Sequence, residues 1–356
     1  MTLKALLHSR IAAGGPISIA DYMAECLMHP EFGYYTSATP FGQAGDFITA
    51  PEISQMFGEM LGLALAQVWM DQGAPNHVTL AELGPGRGTL MADLLRATRA
   101  VPGFHDALEI VLVEQSPQLR DAQRAALKDY KVGFLPDVTA LPDQPLLLVA
   151  NEFFDALPVR QFQRSIAGWR ERQVGLAQDD ADRTLVFGLG PETPQPALAP
   201  RLDDTRDGDV VEYAPMLAPV VAEISARIEE HGGAGLIIDY GDWRSLGDTL
   251  QAVRGHDRTD PLEAPGRADL TTQVDFEAIA EAATCAHTRL TPQGVFLERL
   301  GITARAQALA ARLQGGALDN HIAAHRRLTH PDEMGNLFKV LGLMPRGQNP
   351  PPGLEL

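Results

Sequence analysis

A glycine-rich turn between a strand-like and a helix-like segment constrains the fold of this chain more than any other feature. The apolar run Val78–Leu83 leads into the turn Gly84–Thr89. After the turn, apolar residues recur at helical spacing at positions 90, 91, 94 and 95, and Thr89 is a candidate helix cap. Glycines permit a sharp turn and leave room for a ligand over the N–H groups at the start of a helix. The stretch therefore predicts a strand, a turn and a helix around a nucleotide-type ligand.

The spacing of the glycines distinguishes between cofactors. A dinucleotide site reads G-x-G-x-x-G, whereas Gly84, Gly86 and Gly88 read G-x-G-x-G. The acidic Glu82 before them disfavours a pyrophosphate and suits the ammonium and sulfonium charges of S-adenosylmethionine. The next apolar run ends in Glu114, a carboxylate placed to accept the two ribose hydroxyls. We expect S-adenosylmethionine as cofactor, with S-adenosylhomocysteine as product, rather than NAD; the alternative is a glycine-rich turn kept for packing alone.

Composition and charge exclude several classes of protein. The 356 residues are 45% hydrophobic, which predicts one large domain with an appended or inserted piece. A net charge of −17 argues against a general nucleic-acid binder and would attract a basic partner, or would only keep the protein soluble. Two cysteines, Cys26 and Cys285, imply no disulfide framework. With no leader-like or 18-residue apolar segment, we expect a soluble, cytoplasmic bacterial protein without membrane insertion.

The middle of the chain alternates between apolar runs and helical stretches, which is typical of buried parallel strands. Ligands of such sheets lie at the carboxyl ends of the strands. The polar residues at those ends, which we expect to bind the cofactor, are Glu82, Glu114, Asp137 and Asn151.

The predicted domain organisation follows from changes in this pattern. Residues 1–75 are interpreted as an N-terminal helical region with a cofactor-covering loop, and 76–158 with 210–356 as the α/β core. Residues 159–209 mix polar and apolar residues as strands do, and they are predicted to form an inserted antiparallel subdomain on the substrate side.

The segment before the apolar helix at 53–70 is long, rich in glycine and aromatic residues, and is expected to cover the cofactor, with Gly45 and Asp46 among the cofactor-binding residues. The alternative is an anchored surface loop. His321 and His325 are four residues apart, but Ile322 occupies the position of the glutamate in H-E-x-x-H, so we expect no metal site.

Three acidic residues are candidates for the catalytic site: Glu152, Asp155 and Asp239. If the strands that they follow are neighbours, these carboxylates converge near the cofactor. A guanidinium is the cation that they are best suited to bind, because its planar N–H donors match carboxylates. One carboxylate can also orient the attacking nitrogen towards a methyl group. The alternative is that Asp155 caps a helix and Asp239 only ends a strand.

Five motifs make the chain recognisable: GDFITAPEIS at 45–54, ELGPGRG at 82–88, LVEQSP at 112–117, NEFFDALP at 151–158 and IDYG at 238–241. Together they closely resemble the MidA-type methyltransferases, a bacterial and mitochondrial family related to the complex I assembly-factor arginine methyltransferase. The resemblance covers nearly the whole chain. The first and fourth motifs are highly specific, whereas the second alone indicates only a class I methyltransferase.

The resemblance implies a class I methyltransferase fold, with a seven-stranded, mainly parallel sheet, and S-adenosylmethionine as cofactor. From the mitochondrial members it implies symmetric dimethylation of an arginine in a complex I subunit, so the expected partner is a protein with an exposed arginine. Gln273 stands where family members often carry histidine, which leaves any catalytic role of that position in doubt. A small-molecule methyltransferase and a catalytically degenerate assembly chaperone are the alternatives. The sequence leaves the oligomeric state open.

Overall fold

The structure is a computed structural model, and it describes residues 2–37, 49–177 and 183–356. Its α-helices are α1 Leu3–Gly14, α2 Ile19–Met28, α3 Tyr34–Ser37, α4 Ala50–Ile53, α5 Gln55–Asp71, α6 Thr89–Thr98, α7 Phe104–Ala107, α8 Pro117–Ala126, α9 Leu217–His231, α10 Phe276–Ala282, α11 Gln293–Arg299, α12 Ile302–Ala310, α13 Gly316–Thr329 and α14 Met334–Leu337. Short 3-10 helices span Val138–Ala140 and Pro196–Leu202.

The strands of the described residues are β1 Ile17–Ser18, β2 Val78–Leu83, β3 Leu108–Val113, β4 Val132–Leu135, β5 Leu146–Asn151, β6 Arg160–Ser165, β7 Gly168–Leu176, β8 Leu185–Thr193, β9 Val210–Tyr213, β10 Gly233–Asp242, β11 Gln251–Arg254, β12 Asp257–Thr259, β13 Asp269–Thr271, β14 Val274–Asp275, β15 Ala286–His287, β16 Thr291–Pro292 and β17 Phe338–Met344.

The chain divides into two compact units. The first, which we call the sheet unit, comprises Ile48–Phe154, Ala218–Trp243 and Val274–Leu356. The second, the insertion unit, comprises Asp155–Leu217, Arg244–Gln273 and the described part of Met1–Phe47. Helix α5 therefore belongs to the sheet unit rather than to the N-terminal region. The predicted insertion belongs to the same unit as α1 and α2.

The sheet unit is built on a mostly parallel sheet with the strand order β15-β17-β10-β5-β2-β3-β4. Strands β10, β5, β2, β3 and β4 run parallel, whereas β17 is antiparallel to β10. Strands β2 and β5 are buried at every position, as expected for central strands between two layers of helices. The predicted α/β fold class is confirmed.

The apolar stretch at residues 336–341 of the sequence predicts a closing edge strand, and the structure corrects both its extent and its position. Asn336 and Leu337 belong to α14. Strand β17 lies inside the sheet, because the two-residue strand β15 pairs with its outer side, with His287 opposite Leu343. A strand of two residues has no apolar periodicity to reveal it in a sequence.

Helix α5 packs closely on α6 in the sheet unit. A Cβ on Gly58 would lie 2.7 Å from the Asp93 Cβ, and one on Gly62 would lie 2.9 Å from the Leu94 Cγ, so only glycine allows this approach. Between these glycines, the buried Glu59 accepts hydrogen bonds from the guanidiniums of Arg96 and Arg305. These ion pairs tie α5 to α6 and α12.

The insertion unit contains an antiparallel sheet with the order β1-β7-β6-β9, with β8 paired to β7, and a three-stranded sheet β12-β11-β13. The antiparallel character predicted for part of 159–209 is therefore present in β6, β7 and β8. Helices α1 and α2 contribute buried side chains to the same core, and the Ser18 hydroxyl caps α2 by accepting from the Asp21 N–H at 3.0 Å.

Candidate active site

The glycine turn follows β2 as predicted, with three left-handed glycines. The φ angles are 58° at Gly84, 51° at Gly86 and 82° at Gly88, a region that residues with a Cβ rarely adopt. A Cβ on Gly84 would also lie 3.1 Å from the Phe153 Cδ2. The predicted cap was wrong, because Gly88 is the N-cap of α6 and Thr89 is its first helical residue. The Thr89 hydroxyl instead donates to Glu52 Oε1 at 2.6 Å.

Glu82, the last residue but one of β2, is a buried carboxylate at the start of α6. It is 4% exposed, and it accepts a hydrogen bond from the backbone N–H of Met91 in the first turn of the helix. Its Oε2 has no hydrogen-bond partner among the residues that the structure describes. Burial raises the pKa of Glu82 to about 8, because a charge in a dry environment is poorly solvated.

Glu114 follows β3, next to the glycine turn. Its Oε1 accepts from the Ser116 N–H at 2.7 Å, and its Oε2 accepts from Gln123 Nε2 at 3.2 Å. The side chain of Gln123 was not identified from the sequence. Burial raises the pKa of Glu114, and the hydrogen bonds from Ser116 and Gln123 oppose that rise.

Asp137 follows β4 and is exposed. Its side chain caps the 3-10 helix Val138–Ala140 by accepting from the Thr139 N–H at 2.9 Å. The Thr139 hydroxyl and backbone N–H lower the pKa of Asp137 through these hydrogen bonds.

Asn151 ends β5 and Glu152 follows it, beside the glycine turn. Asn151 is buried, and its Nδ2 donates to Glu152 Oε1 at 3.1 Å; its Oδ1 has no partner within the described part of the chain. Glu152 has a φ of 51°, which is strained for a residue with a Cβ. The same Oε1 accepts from the Ala50 N–H at 3.3 Å, so the end of the predicted covering loop reaches this strand end.

Asp239 is fully buried in β10, which changes the role expected from the sequence. Its Oδ2 accepts from the Phe154 N–H at 3.0 Å, and its Oδ1 accepts from the Tyr240 N–H at 2.9 Å. Both carboxylate oxygens of this buried side chain are thus engaged by backbone N–H groups. The geometry therefore fits a residue that fixes the turn after β5.

Asp155 belongs to the insertion unit and is 6% exposed. Within that unit, the Tyr35 hydroxyl donates to Asp269 Oδ1 at 2.9 Å. Burial and the charges of Asp269 and Asp155 raise the pKa of Tyr35 well above its usual value. The described contacts thus bring Asp155 together with Tyr35 and Asp269.

Gly45 and Asp46 lie outside the described residues. The segment after them contributes two contacts that sequence reasoning missed, the bond from Ala50 to Glu152 and the bond from Thr89 to Glu52. Nothing in the spacing of Glu52 pointed to Thr89. Gln123 did leave a signal, since it stands four residues from both Leu119 and Leu127 and so places an amide on the buried face of α8.

His321 and His325 use their ring nitrogens within the helical layer. The Nε2 of His321 lies 2.9 Å from the Ala306 carbonyl oxygen, and that of His325 lies 2.9 Å from the Thr303 Oγ1. Across the described ranges, no group of three or more acidic, histidine or cysteine side chains has a metal-binding arrangement. None of the described helices is long and apolar enough to cross a membrane.

A mostly parallel sheet with a glycine turn after one strand and an acidic residue after its neighbour is the arrangement of nucleotide-type cofactor sites in α/β folds. Residues 60–295 match the family model for S-adenosyl-L-methionine-dependent methyltransferases. This chain belongs to that family, and the predicted cofactor, S-adenosylmethionine, is confirmed.

Similar proteins cover nearly the whole chain. Mouse "Protein arginine methyltransferase NDUFAF7, mitochondrial" is 37% identical over 371 residues, which cover 96% of this chain and 84% of that protein. The Drosophila melanogaster homolog of the same name is 36% identical and covers 97% of this chain and 85% of its own. A crystal structure from Burkholderia thailandensis, bound to S-adenosyl-homocysteine, matches with a TM-score of 0.84 and 32% identity, over 99% of this chain and 93% of that chain. The predicted family is confirmed.

The residues at this edge of the sheet fit the cofactor. A buried acceptor, Glu82 Oε2, has no described partner, and it is the kind of group that a cationic ligand requires. Asn151 Oδ1 is a second such acceptor, at the end of the neighbouring strand β5. A dinucleotide pyrophosphate would bring negative charge to the same carboxylate, so this pair of acceptors favours the methionine-containing cofactor.

Proposed function

We propose that this protein transfers methyl groups from S-adenosylmethionine to an arginine side chain of a protein substrate. The observation that carries the proposal is the likeness to relatives named protein arginine methyltransferases, at 35–37% identity over at least 95% of this chain. The matches span more than four fifths of those relatives, so they are not limited to the cofactor-binding part.

Cofactor binding is proposed for the residues at the carboxyl ends of β2 to β5. Glu82 would face the positive charges of the cofactor, and Glu114 would accept from the ribose hydroxyls. Further contacts are proposed for the three turn glycines, and for Gly45, Asp46, Asp137 and Asn151. The bound cofactor supplies a methyl group on a positively charged sulfur.

Substrate positioning is proposed for Glu152 and Asp155. A carboxylate that accepts N–H bonds from a guanidinium can hold one of its nitrogens in line for attack. Transfer would form an N–C bond as the S–CH₃ bond breaks, leave S-adenosylhomocysteine as the neutral thioether product, and pass the proton of the attacking nitrogen to the carboxylate that accepts from it. Asp239 is proposed as a positioning residue, because it holds the Phe154 N–H two residues beyond Glu152.

The strained backbone of Glu152 supports this role. A φ of 51° at a residue with a Cβ costs about 1–3 kcal/mol and persists where the surroundings hold it in place. Here the surroundings include the Asn151 amide and the Ala50 N–H, both on Glu152 Oε1. Such strain at a strand end is typical of a functional carboxylate.

The finer aspects of the function are proposals that rest on the family resemblance. A respiratory complex I subunit is the first candidate substrate, with symmetric dimethylation as the product. The net charge of −17 favours a basic segment around the target arginine. The insertion, residues 159–209, is proposed to serve the substrate side. The relatives are mitochondrial by name, so the cytoplasmic location expected here has no support from them.

Glu152→Gln tests the proposal, because it keeps the shape of the side chain and removes its charge. Losing a charged hydrogen-bond partner costs about 1.5–3 kcal/mol, so turnover should fall roughly 10- to 150-fold. Calorimetry should find the S-adenosylhomocysteine affinity nearly unchanged. Glu31→Gln, at an exposed position, is the control. Wild-type turnover by Glu152→Gln would remove this residue from the site, and a methylated small molecule as product would favour the small-molecule alternative.

A further inference from the structure

We propose that Gln123 is a positioning residue that locks the glycine turn to Glu114 and thereby sets the affinity for the cofactor. The inference rests on the cofactor roles proposed above. Gln123 belongs to α8, the helix after Glu114, and the residue lies outside both the motif at 82–88 and the motif at 112–117.

The Gln123 amide bridges the two motifs directly. Its Nε2 donates to the Gly86 carbonyl oxygen at 2.7 Å and to Glu114 Oε2 at 3.2 Å. Both partners are acceptors, so the NH₂ end of the amide must face them, and the alternative orientation would set three oxygens together. The side chain is 0% exposed, which keeps water from replacing either bond.

The rest of α8 supports this bridge. Arg120, one turn before Gln123, donates from Nε to the Glu114 carbonyl oxygen at 2.8 Å. A Cβ on Gly88 would lie 3.4 Å from the Gln123 Cα, so the helix lies directly against the turn. The helix thus holds both the backbone and the carboxylate of Glu114, and only Gln123 among these residues also holds the turn.

The bridge has an electrostatic consequence for Glu114. Burial raises the pKa of Glu114, whereas the Gln123 amide and the Arg120 charge lower it. Arg120 is a charged group that acts on this carboxylate. Without the amide, Glu114 would hold its proton more readily and would accept from ribose hydroxyls less well.

Two variants separate this role from simple packing. Gln123→Met keeps the length of the side chain and removes both donors. Gln123→Glu keeps the shape but sets a carboxyl against Glu114 and the Gly86 carbonyl; when that carboxyl is protonated, one donor returns. The matched controls are Gln118→Met and Gln118→Glu, because Gln118 is exposed on the same helix.

The experiment is calorimetric titration of S-adenosylhomocysteine at pH 6 and pH 8, with thermal unfolding as a check that each variant is folded. For Gln123→Met we expect affinity roughly 10- to 150-fold lower at both pH values, the cost of a lost bond to a charged group. For Gln123→Glu we expect a larger loss at pH 8 than at pH 6, relative to wild type at the same pH. The Gln118 variants should bind like wild type.

The outcomes distinguish this inference from the function on which it rests. If wild type binds the ligand and folded Gln123→Met also binds at the wild-type affinity, the positioning role is wrong while the cofactor site stands. An affinity loss in Gln123→Glu that is the same at both pH values would reduce Gln123 to a packing role and overturn the inference. If wild type itself binds no S-adenosylhomocysteine, the proposed cofactor site fails first, and the positioning role fails with it.

Discussion

Replacing Glu82 by glutamine should stabilise the fold at high pH and weaken cofactor binding at the same time. Glu82 is a buried carboxylate whose pKa is raised from 4.5 to about 8 by the loss of solvation. Gln keeps an oxygen for the Met91 N–H and cannot ionise. A substitution that stabilises the fold and weakens ligand binding indicates that the original residue serves binding rather than stability.

The sign of the pH effect follows from the two pKa values. Below pH 4.5, Glu82 is protonated in both the folded and the unfolded chain and costs nothing. Between pH 4.5 and about 8 the unfolded chain releases the proton first, so the free energy of unfolding falls as pH rises, and the loss levels off above pH 8. The full difference corresponds to an upper limit of about 5 kcal/mol. In Glu82→Gln the NH₂ group takes the place of Oε2, which has no described partner. Burying this NH₂ without a partner offsets about 1–3 kcal/mol of the stability gain.

The assay is urea unfolding of wild type and Glu82→Gln at pH 5, 6, 7 and 8, with Glu109→Gln as control because Glu109 is an exposed glutamate on the neighbouring strand β3. We expect the variant to gain stability relative to wild type as pH rises, by about 2–4 kcal/mol between pH 5 and pH 8. The control should follow wild type. If Glu82→Gln and wild type lose stability in parallel over this range, Glu82 is not a carboxylate that is neutral at pH 7 in the free protein.

Two further predictions concern contacts at the site. Asp239→Asn should lower the melting temperature and reduce turnover, while S-adenosylhomocysteine affinity stays within about twofold. The substitution removes a charged acceptor of the Phe154 or Tyr240 N–H, which costs about 1.5–3 kcal/mol. An unchanged melting temperature would contradict the role of Asp239. Thr89→Val should cost about 1 kcal/mol in unfolding free energy by removing the 2.6 Å bond to Glu52, whereas Thr89→Ser should retain it; equal stability of the two variants would count against this bond.

The fold was predictable because its central strands carry their own signals. Strand β5 is a continuous apolar run from Leu146 to Ala150 and β2 is nearly so, and buried parallel strands require such runs. The glycine turn was also predictable, since each of its glycines is needed at a positive φ. The two-residue strand β15 and the interior position of β17 were not, because both arise from pairings between residues about 56 apart in the chain.

The positions of Glu82 and Glu114 at the carboxyl ends of neighbouring strands were predictable from the apolar runs that lead to them, whereas their roles in cofactor binding stay predictions. The role of a residue was not predictable where it depends on which neighbour its side chain meets. Asp239 looked like a substrate ligand from its position after a strand, but it is occupied by backbone N–H groups. The spacing of Gln123 places an amide on the buried face of α8, but nothing in the sequence indicates that this amide joins two motifs.

The central claim is that this protein places a methyl group from S-adenosylmethionine on arginine. The most direct measurement is incubation of the wild-type protein with methyl-labelled S-adenosylmethionine and a complex I subunit preparation, followed by complete hydrolysis and separation of the labelled amino acids. We predict label in ω-N-methylated arginine, with the label reduced by Glu152→Gln. Label in lysine, or only in small molecules, would contradict the claim.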